Sequence, residues 1–122
     1  MFQDKDKFIL VVDDMKENRN LLSSYFKKCG RNSITAQSGE ESIDIINERN
    51  DISLILMDVK MNGMSGVDAM KEIKSRHNVP IIALTAFAMD GDKEDLINKG
   101  FDDYVSKPIE FEILNDKINK LL

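Results

Sequence analysis

Phe8-Ile9-Leu10-Val11-Val12-Asp13-Asp14 is the stretch that decides the fold: five apolar residues closed by two aspartates. The run does not alternate, which is how a strand reads when both faces of its sheet are covered. Leu54-Ile55-Leu56-Met57-Asp58 repeats the pattern, an apolar run and then an aspartate. Val79–Leu84 is a third such run, ending ahead of Thr85, and a less continuous fourth, Phe101–Val105, stands ahead of Ser106-Lys107-Pro108. A weaker run, Ser33–Ala36, fits an edge strand.

Helical patterns lie between these runs. Leu21, Leu22, Tyr25, Phe26 and Cys29 recur at three-to-four spacing, and Gly30 stands where a helix-ending glycine belongs. Ser38 with Glu41 fits a capping box opening a second helix, with Ile43, Ile45 and Ile46 as its buried stripe. Further helices are expected over about Ser65–Arg76, Gly91–Lys99 and Ile109–Leu122, the last showing Phe111, Leu114, Ile118 and Leu121 on one face. Strand and helix thus alternate five times. Parallel strands need crossover connections, so the expected fold is α/β: a flavodoxin-like, doubly wound, five-stranded parallel sheet of order 2-1-3-4-5 with five helices. Such sheets bind ligands outside the carboxyl ends of their strands, at the switch point between the first and third.

The 122 residues match one domain, expected to span 1–122, with 42% hydrophobic and 32% charged residues. The net charge of −5 argues against direct nucleic-acid binding. Met1–Lys7 has no apolar signal core, and no apolar run reaches membrane-span length. With a single cysteine and hence no internal disulfide, the expectation is a cytoplasmic protein without membrane contact. Cys29 itself reads as a small core residue. Met57 and Met70 read as core filler, and the lone His77 as a solvated surface residue.

The chemistry is carried by the residues at the carboxyl ends of the strands. Asp13 and Asp14, Asp58, Thr85, and Lys107 should meet on one sheet edge. Singly, an Asp or Thr after a strand often only caps a turn, and a Lys is often only solvated. Their convergence on the switch point is harder to explain that way. Two carboxylates about 5 Å apart repel by roughly 3 kcal/mol at an effective dielectric of 20. Three need a cation or a retained proton. Mg²⁺ fits, since it takes oxygen ligands, keeps waters and binds phosphate oxygens. With an ammonium and a hydroxyl alongside, the set reads as a phosphoryl site. Asp102-Asp103 is a second acidic pair, expected to lie away from the ion and simply solvated.

Phe8–Asp14, Leu54–Asp58, Ile81-Ile82-Ala83-Leu84-Thr85-Ala86 and Tyr104-Val105-Ser106-Lys107-Pro108 resemble, in order and spacing, the receiver domains of response regulators in two-component signalling. The resemblance covers nearly the whole chain. It implies that Asp58 is the phosphoacceptor, taking a phosphoryl group from a histidine kinase or phosphotransfer domain in a Mg²⁺-dependent reaction. It further implies Mg²⁺ ligands at Asp14, Asp13 (mainly through water), Asp58 and the Lys60 carbonyl. Lys107, Thr85 and the backbone N–H groups of Lys60 and Ala86 would hold the phosphoryl oxygens. Tyr104 matches the switch aromatic coupled to Thr85, and Lys107–Pro108 the family's cis peptide. A downstream partner would read the face of the fourth helix, fifth strand and fifth helix. The domain would be a signalling phosphoacceptor that assists its own phosphorylation and dephosphorylation, not a conventional enzyme.

Where the family often reads Met-Pro-x-Met-Asp-Gly after the acceptor, this chain has Met61-Asn62-Gly63-Met64-Ser65-Gly66. Without the proline this loop is expected to be more mobile, while Ser65 remains a good N-cap. Ala83–Met89 and Gly100–Ile109 look like receivers of hybrid sensor kinases, so the expectation is an excised receiver or a stand-alone regulator without a DNA-binding output domain. Three rival readings stay open. A flavin or nucleotide binder of this fold would need a glycine- or hydroxyl-rich loop after the first strand, where Asp13–Asn18 is acidic. A dehalogenase-type phosphatase would carry its nucleophile on the first strand of a larger chain. A pseudo-receiver would bind partners without phosphorylation.

Lys60 and Phe87 lie two positions after Asp58 and Thr85, where receiver side chains border the path of the hydrolytic water. Phe87 has no atom with which to orient a water, whereas Lys60 could stabilise transition-state charge or shield with its stem; shielding of an aspartyl phosphate is expected to dominate. Each 1.4 kcal/mol of lost water positioning slows hydrolysis about tenfold. Lys60→Asn and Phe87→Ala should each lose phosphate faster than the wild type when dephosphorylation is timed.

Overall fold

Alternate residues of the central strands face opposite layers of side chains in the computed structural model, which describes residues 6–86 and 92–122. The strands are β1 (Phe8–Val12), β2 (Ser33–Ala36), β3 (Ile52–Asp58), β4 (Ile81–Thr85) and β5 (Asp103–Ser106). They form one parallel sheet in the order β2-β1-β3-β4-β5, as expected from the sequence. The helices are α1 (Lys16–Lys28), α2 (Gly39–Glu48), α3 (Gly66–Lys74), α4 (Asp92–Lys99) and α5 (Phe111–Leu121).

Ile9, Val11, Leu54, Leu56, Ile82 and Leu84 pack against Leu22 and Phe26 of α1 and Leu114 and Ile118 of α5. Leu10, Val12, Ile55, Met57, Ile81 and Ala83 turn the other way, onto Ile46 of α2, Ala69, Met70 and Ile73 of α3, and Leu96 of α4. Burial on both faces is why these strands read as unbroken apolar runs. Register aligns their carboxyl ends: Val12 pairs with Ala36 and Met57, Asp58 with Leu84, and Thr85 with Ser106.

Local signals place most boundaries. Ser38 Oγ accepts from Glu41 N–H at 3.0 Å, and Glu41 reaches back to Gln37 N–H at 2.7 Å. Ser65 Oγ likewise accepts from Asp68 N–H at 3.1 Å and opens α3. Gly30 takes φ +76 just past α1, in the left-handed region that glycine enters without a Cβ clash.

Four expectations need correction. Cys29 is exposed, because α1 ends at Lys28 and the cysteine serves as C-cap, with its N–H bonded to Tyr25 and Phe26 carbonyls. Leu21, placed in the same stripe, is 53% exposed. Phe101 is buried but precedes β5: its N–H closes α4 onto Leu96 O instead of joining the ladder. Similarly, Val79 is buried ahead of β4. A run of buried residues therefore overstates strand length where a loop also enters the core. The expected start of the fourth helix at Gly91 lies outside the described residues.

Gly66 fixes where α3 meets the sheet. A Cβ there would run into the Asp58 carbonyl oxygen and stand 2.8 Å from Val59 Cα, both backbone atoms. Its N–H donates to Val59 O at 2.9 Å. Gly66→Ala must therefore displace the end of β3, at a cost of about 1–3 kcal/mol by analogy with overpacked cores. Urea denaturation should show a lower midpoint with an unchanged slope.

Candidate functional site

Five strand-end residues expected from the sequence come together at the carboxyl edge. β1 delivers Asp13 and Asp14, β3 ends on Asp58, β4 on Thr85, and Lys107 comes directly after β5. One carboxylate oxygen from each of Asp13, Asp14 and Asp58 lies within 4.8 Å of the others. Lys107 Nζ stands 3.3 Å from Asp58 Oδ1 and 3.4 Å from Asp13 Oδ2. Thr85 is buried beside them, and its carbonyl accepts Lys107 N–H at 2.8 Å, tying β4 to the lysine loop. The Lys107–Pro108 bond is cis, as the resemblance implies.

The three carboxylates are held differently. Asp13 is fully buried; its Oδ1 accepts Met15 N–H at 2.9 Å and its Oδ2 accepts Asn18 Nδ2 at 3.2 Å. Arg19 adds a bond to the Asp13 carbonyl at 2.9 Å. Asp58 is also buried, and its Oδ1 accepts Lys60 N–H at 3.3 Å. Asp14 is half-buried and accepts Asn62 N–H at 3.0 Å. Burial, and then the charge of Asp13, raise the Asp58 carboxyl above its ordinary value, while Lys107 and the Lys60 N–H pull it back only in part. One ammonium thus leaves the cluster short of positive charge.

The donor set suits Mg²⁺: clustered carboxylate oxygens, partly open to solvent through Asp14, with no soft ligand among them. The Lys60 backbone lies beside Asp58, and Ala86 is exposed just past β4. Tyr104 is on β5, half-buried, its ring centroid 4.3 Å from Lys117 Nζ and 5.4 Å from Lys93 Nζ. Phe87 lies outside the described residues.

Some polar groups do more than their sequence context suggests. Asp102 is not merely solvated: its carboxylate accepts Ile81 N–H at 2.7 Å and pairs with Lys74 at 2.6 Å. Asp103 pairs with Lys117 at 2.9 Å. His77 is half-buried, with Nε2 2.8 Å from Asn47 Oδ1. Asn18 and Arg19 contact Asp13 although the motif reading does not single them out, and Asn62, noted there only as standing in place of proline, bonds Asp14. For Asn18 and Arg19 the usable signal is their position one helical turn past Asp13-Asp14. The loop after Asp58, where proline is absent, donates the Asn62 N–H to Asp14 at 3.0 Å.

A model of the response regulator receiver domain family matches residues 9–119. Over 120 residues the chain is 38% identical to hybrid signal transduction histidine kinase I of Dictyostelium discoideum, covering 91% of this chain and 7% of that protein. The chain spans about half the length of several other curated relatives. Among solved structures, the response regulator TrrA of Thermotoga maritima, determined in complex with Mg²⁺–BeF, is 37% identical with a TM-score of 0.84, covering 95% of this chain and 99% of that one. The receiver domain of Ssk1 from Saccharomyces cerevisiae, solved with the histidine phosphotransfer protein Ypd1, is 29% identical with a TM-score of 0.85, covering 95% of this chain and 88% of that one.

The raised Asp58 carboxyl has a definite consequence for stability. The fold holds the Asp58 proton more tightly than the unfolded chain, so the favourable contribution is present below the unfolded value and lost as pH rises through the folded one. At neutral pH ionised Asp58 therefore opposes folding. In chelator, Asp58→Asn should raise the melting temperature at pH 7, and the gain should fade as pH falls to about 4, near the ordinary Asp value. Thermal melts across that range check both sign and window.

Proposed function

The chain belongs to the response regulator receiver domain family of two-component signalling, and from that premise we propose that Asp58 is its phosphoacceptor. The observation that carries the proposal is Lys107, within ion-pair distance of two buried carboxylates that share a 4.8 Å cluster with a third. A carboxylate oxygen of Asp58 would attack the phosphorus of a phosphohistidine. The O–P bond forms as the P–N bond breaks, and the electron pair leaves with the imidazole. Lys107 would pair with one phosphoryl oxygen and the Thr85 hydroxyl with another, while Lys60 and Ala86 N–H groups complete the cradle. Asp14, Asp13, Asp58 and the Lys60 carbonyl would hold Mg²⁺. Bound there, the ion supplies the positive charge that the carboxylates and the phosphoryl oxygens together require.

The donor is a histidine kinase or a phosphotransfer domain, a reading supported by the yeast receiver solved with a phosphotransfer protein. The negative net charge speaks against direct nucleic-acid contact. Among the described residues no helix is long and apolar enough to cross a membrane. A cytoplasmic location goes with that partner. A flavin-binding reading is disfavoured, since the loop after β1 turns the Asp13 carboxylate onto its own Met15 N–H.

Phosphorylation would be read at the surface of α4, β5 and α5. Thr85, drawn toward the phosphoryl group, would open space for Tyr104, shifting an equilibrium between two surface states. A hollow of about 260 Å³ already lies there, lined by Lys93, Tyr104, Ile113 and Lys117 among others, and would take the downstream protein.

Acetyl phosphate with Mg²⁺ should add one phosphoryl group to the wild type and none to Asp58→Asn, read by intact mass. The wild type should also bind Mg²⁺ with fluoroberyllate, which a pseudo-receiver would not. Thr85→Ala should still be phosphorylated but should show much smaller shifts of the Tyr104 resonances than the wild type.

A further inference from the structure

Asp13 and Asp14 are adjacent in sequence, yet they are anchored by different parts of the molecule. Asp13 is buried and held by Met15, Asn18 and Lys107. Asp14 is half-buried, and its Oδ2 accepts the backbone N–H of Asn62 at 3.0 Å, across 48 residues of sequence. The donor belongs to the β3–α3 loop, where the next residue, Gly63, takes φ +78. Position 62 is where the family motif often places proline, which has no N–H to give. This hydrogen bond therefore exists because the chain carries Asn62.

We propose that the Asn62 N–H positions the Asp14 carboxylate for a divalent cation, and that ion binding at Asp13, Asp14 and Asp58 in turn orders the loop around Asn62. The inference rests on the metal reading of the cluster. A carboxylate that ligates a metal is commonly hydrogen-bonded from outside, and that donor sets its direction. Asp13 has several such donors from its own loop and from Lys107. For Asp14 the Asn62 N–H takes this part, and it reaches one oxygen while the carboxylate still joins the 4.8 Å cluster. Linkage is reciprocal, so a donor that favours the ion is itself favoured by the ion.

The test compares two substitutions at one position. Asn62→Ala keeps the backbone N–H and Asn62→Pro removes it, while proline is compatible with this loop in the family pattern. Mg²⁺ titrations followed by amide resonances should give Asn62→Ala an affinity within about twofold of the wild type. Asn62→Pro should bind roughly three- to tenfold more weakly, at or below the low end for lost outer donors. Equal or tighter binding by Asn62→Pro than by Asn62→Ala would overturn the proposal, the tighter case showing that the N–H competes with the ion. A second measurement needs no variant at position 62. Exchange of the Asn62 amide should slow on adding Mg²⁺ to the wild type and accelerate several-fold in Asp14→Ala under chelator. An unchanged rate in Asp14→Ala would overturn the positioning role itself. A wild type indifferent to Mg²⁺ would overturn the metal reading, and with it the ion-coupled half of the proposal, and the exchange result in chelator tells that failure from the other.

Discussion

Two carboxylates are buried side by side at the edge of this sheet, and one ammonium stands between them. Asp13 is 0% and Asp58 5% exposed, with Lys107 Nζ at 3.4 and 3.3 Å. An unpaired buried charge is costly, and removing its partner more so. Much of the local architecture serves that constraint. The Met15 N–H and the Asn18 amide cover Asp13, the Lys60 N–H covers Asp58, and the Thr85 carbonyl holds the backbone of Lys107. Even so the compensation is incomplete, since Asp58 keeps a raised carboxyl. A site that is electrostatically short of positive charge is one that gains from a cation. That gain is what the proposed phosphoryl-accepting role would use.

The sheet supplies the rigidity and the loops supply the chemistry. Strand ends are aligned by parallel ladders whose residues are buried on both faces, so Asp58 and Thr85 have little freedom. The loops beyond the strand ends are then tied back individually. Gly66 lets α3 press against the end of β3, and the Asn62 N–H reaches Asp14 from the same loop. Two neighbouring aspartates thereby acquire different environments, Asp13 held by Met15, Asn18 and Lys107 and Asp14 by the Asn62 N–H.

β5 stands between the site and the hollow lined by Tyr104 and Lys117. Lys107 comes directly after that strand, and its N–H bonds to Thr85 on β4. Tyr104 lies three residues earlier on the same strand. Lys117 of α5 grips that segment through Asp103, the Tyr104 carbonyl and the Tyr104 ring. In the proposed switch, a displacement at Thr85 or Lys107 would reach the strand whose Tyr104, Val105 and Ser106 line the hollow.

The strands and the five principal side chains at their ends were legible in the amino-acid sequence because each depends on local pattern, and the sheet order followed from the fold class that five strand-helix alternations suit. Phe8–Val12 and Leu54–Met57 are apolar on consecutive residues, and their next residues are Asp13 and Asp58. Capping signals at Ser38 and Ser65 are equally local, each joining residues three positions apart. Tertiary structure decided what depends on distances between segments far apart in the chain. It brought Phe101 into the core without making it a strand residue and left Cys29 outside despite its helical spacing. It turned Asp102 from an apparently solvated residue into a partner of Ile81 and Lys74. It also gave Asp14 a donor 48 residues away, at the position where the absence of proline had pointed to a looser loop. Periodicity reports which face a residue is on, whereas a hydrogen bond between remote loops exists only once the packed sheet has brought them together.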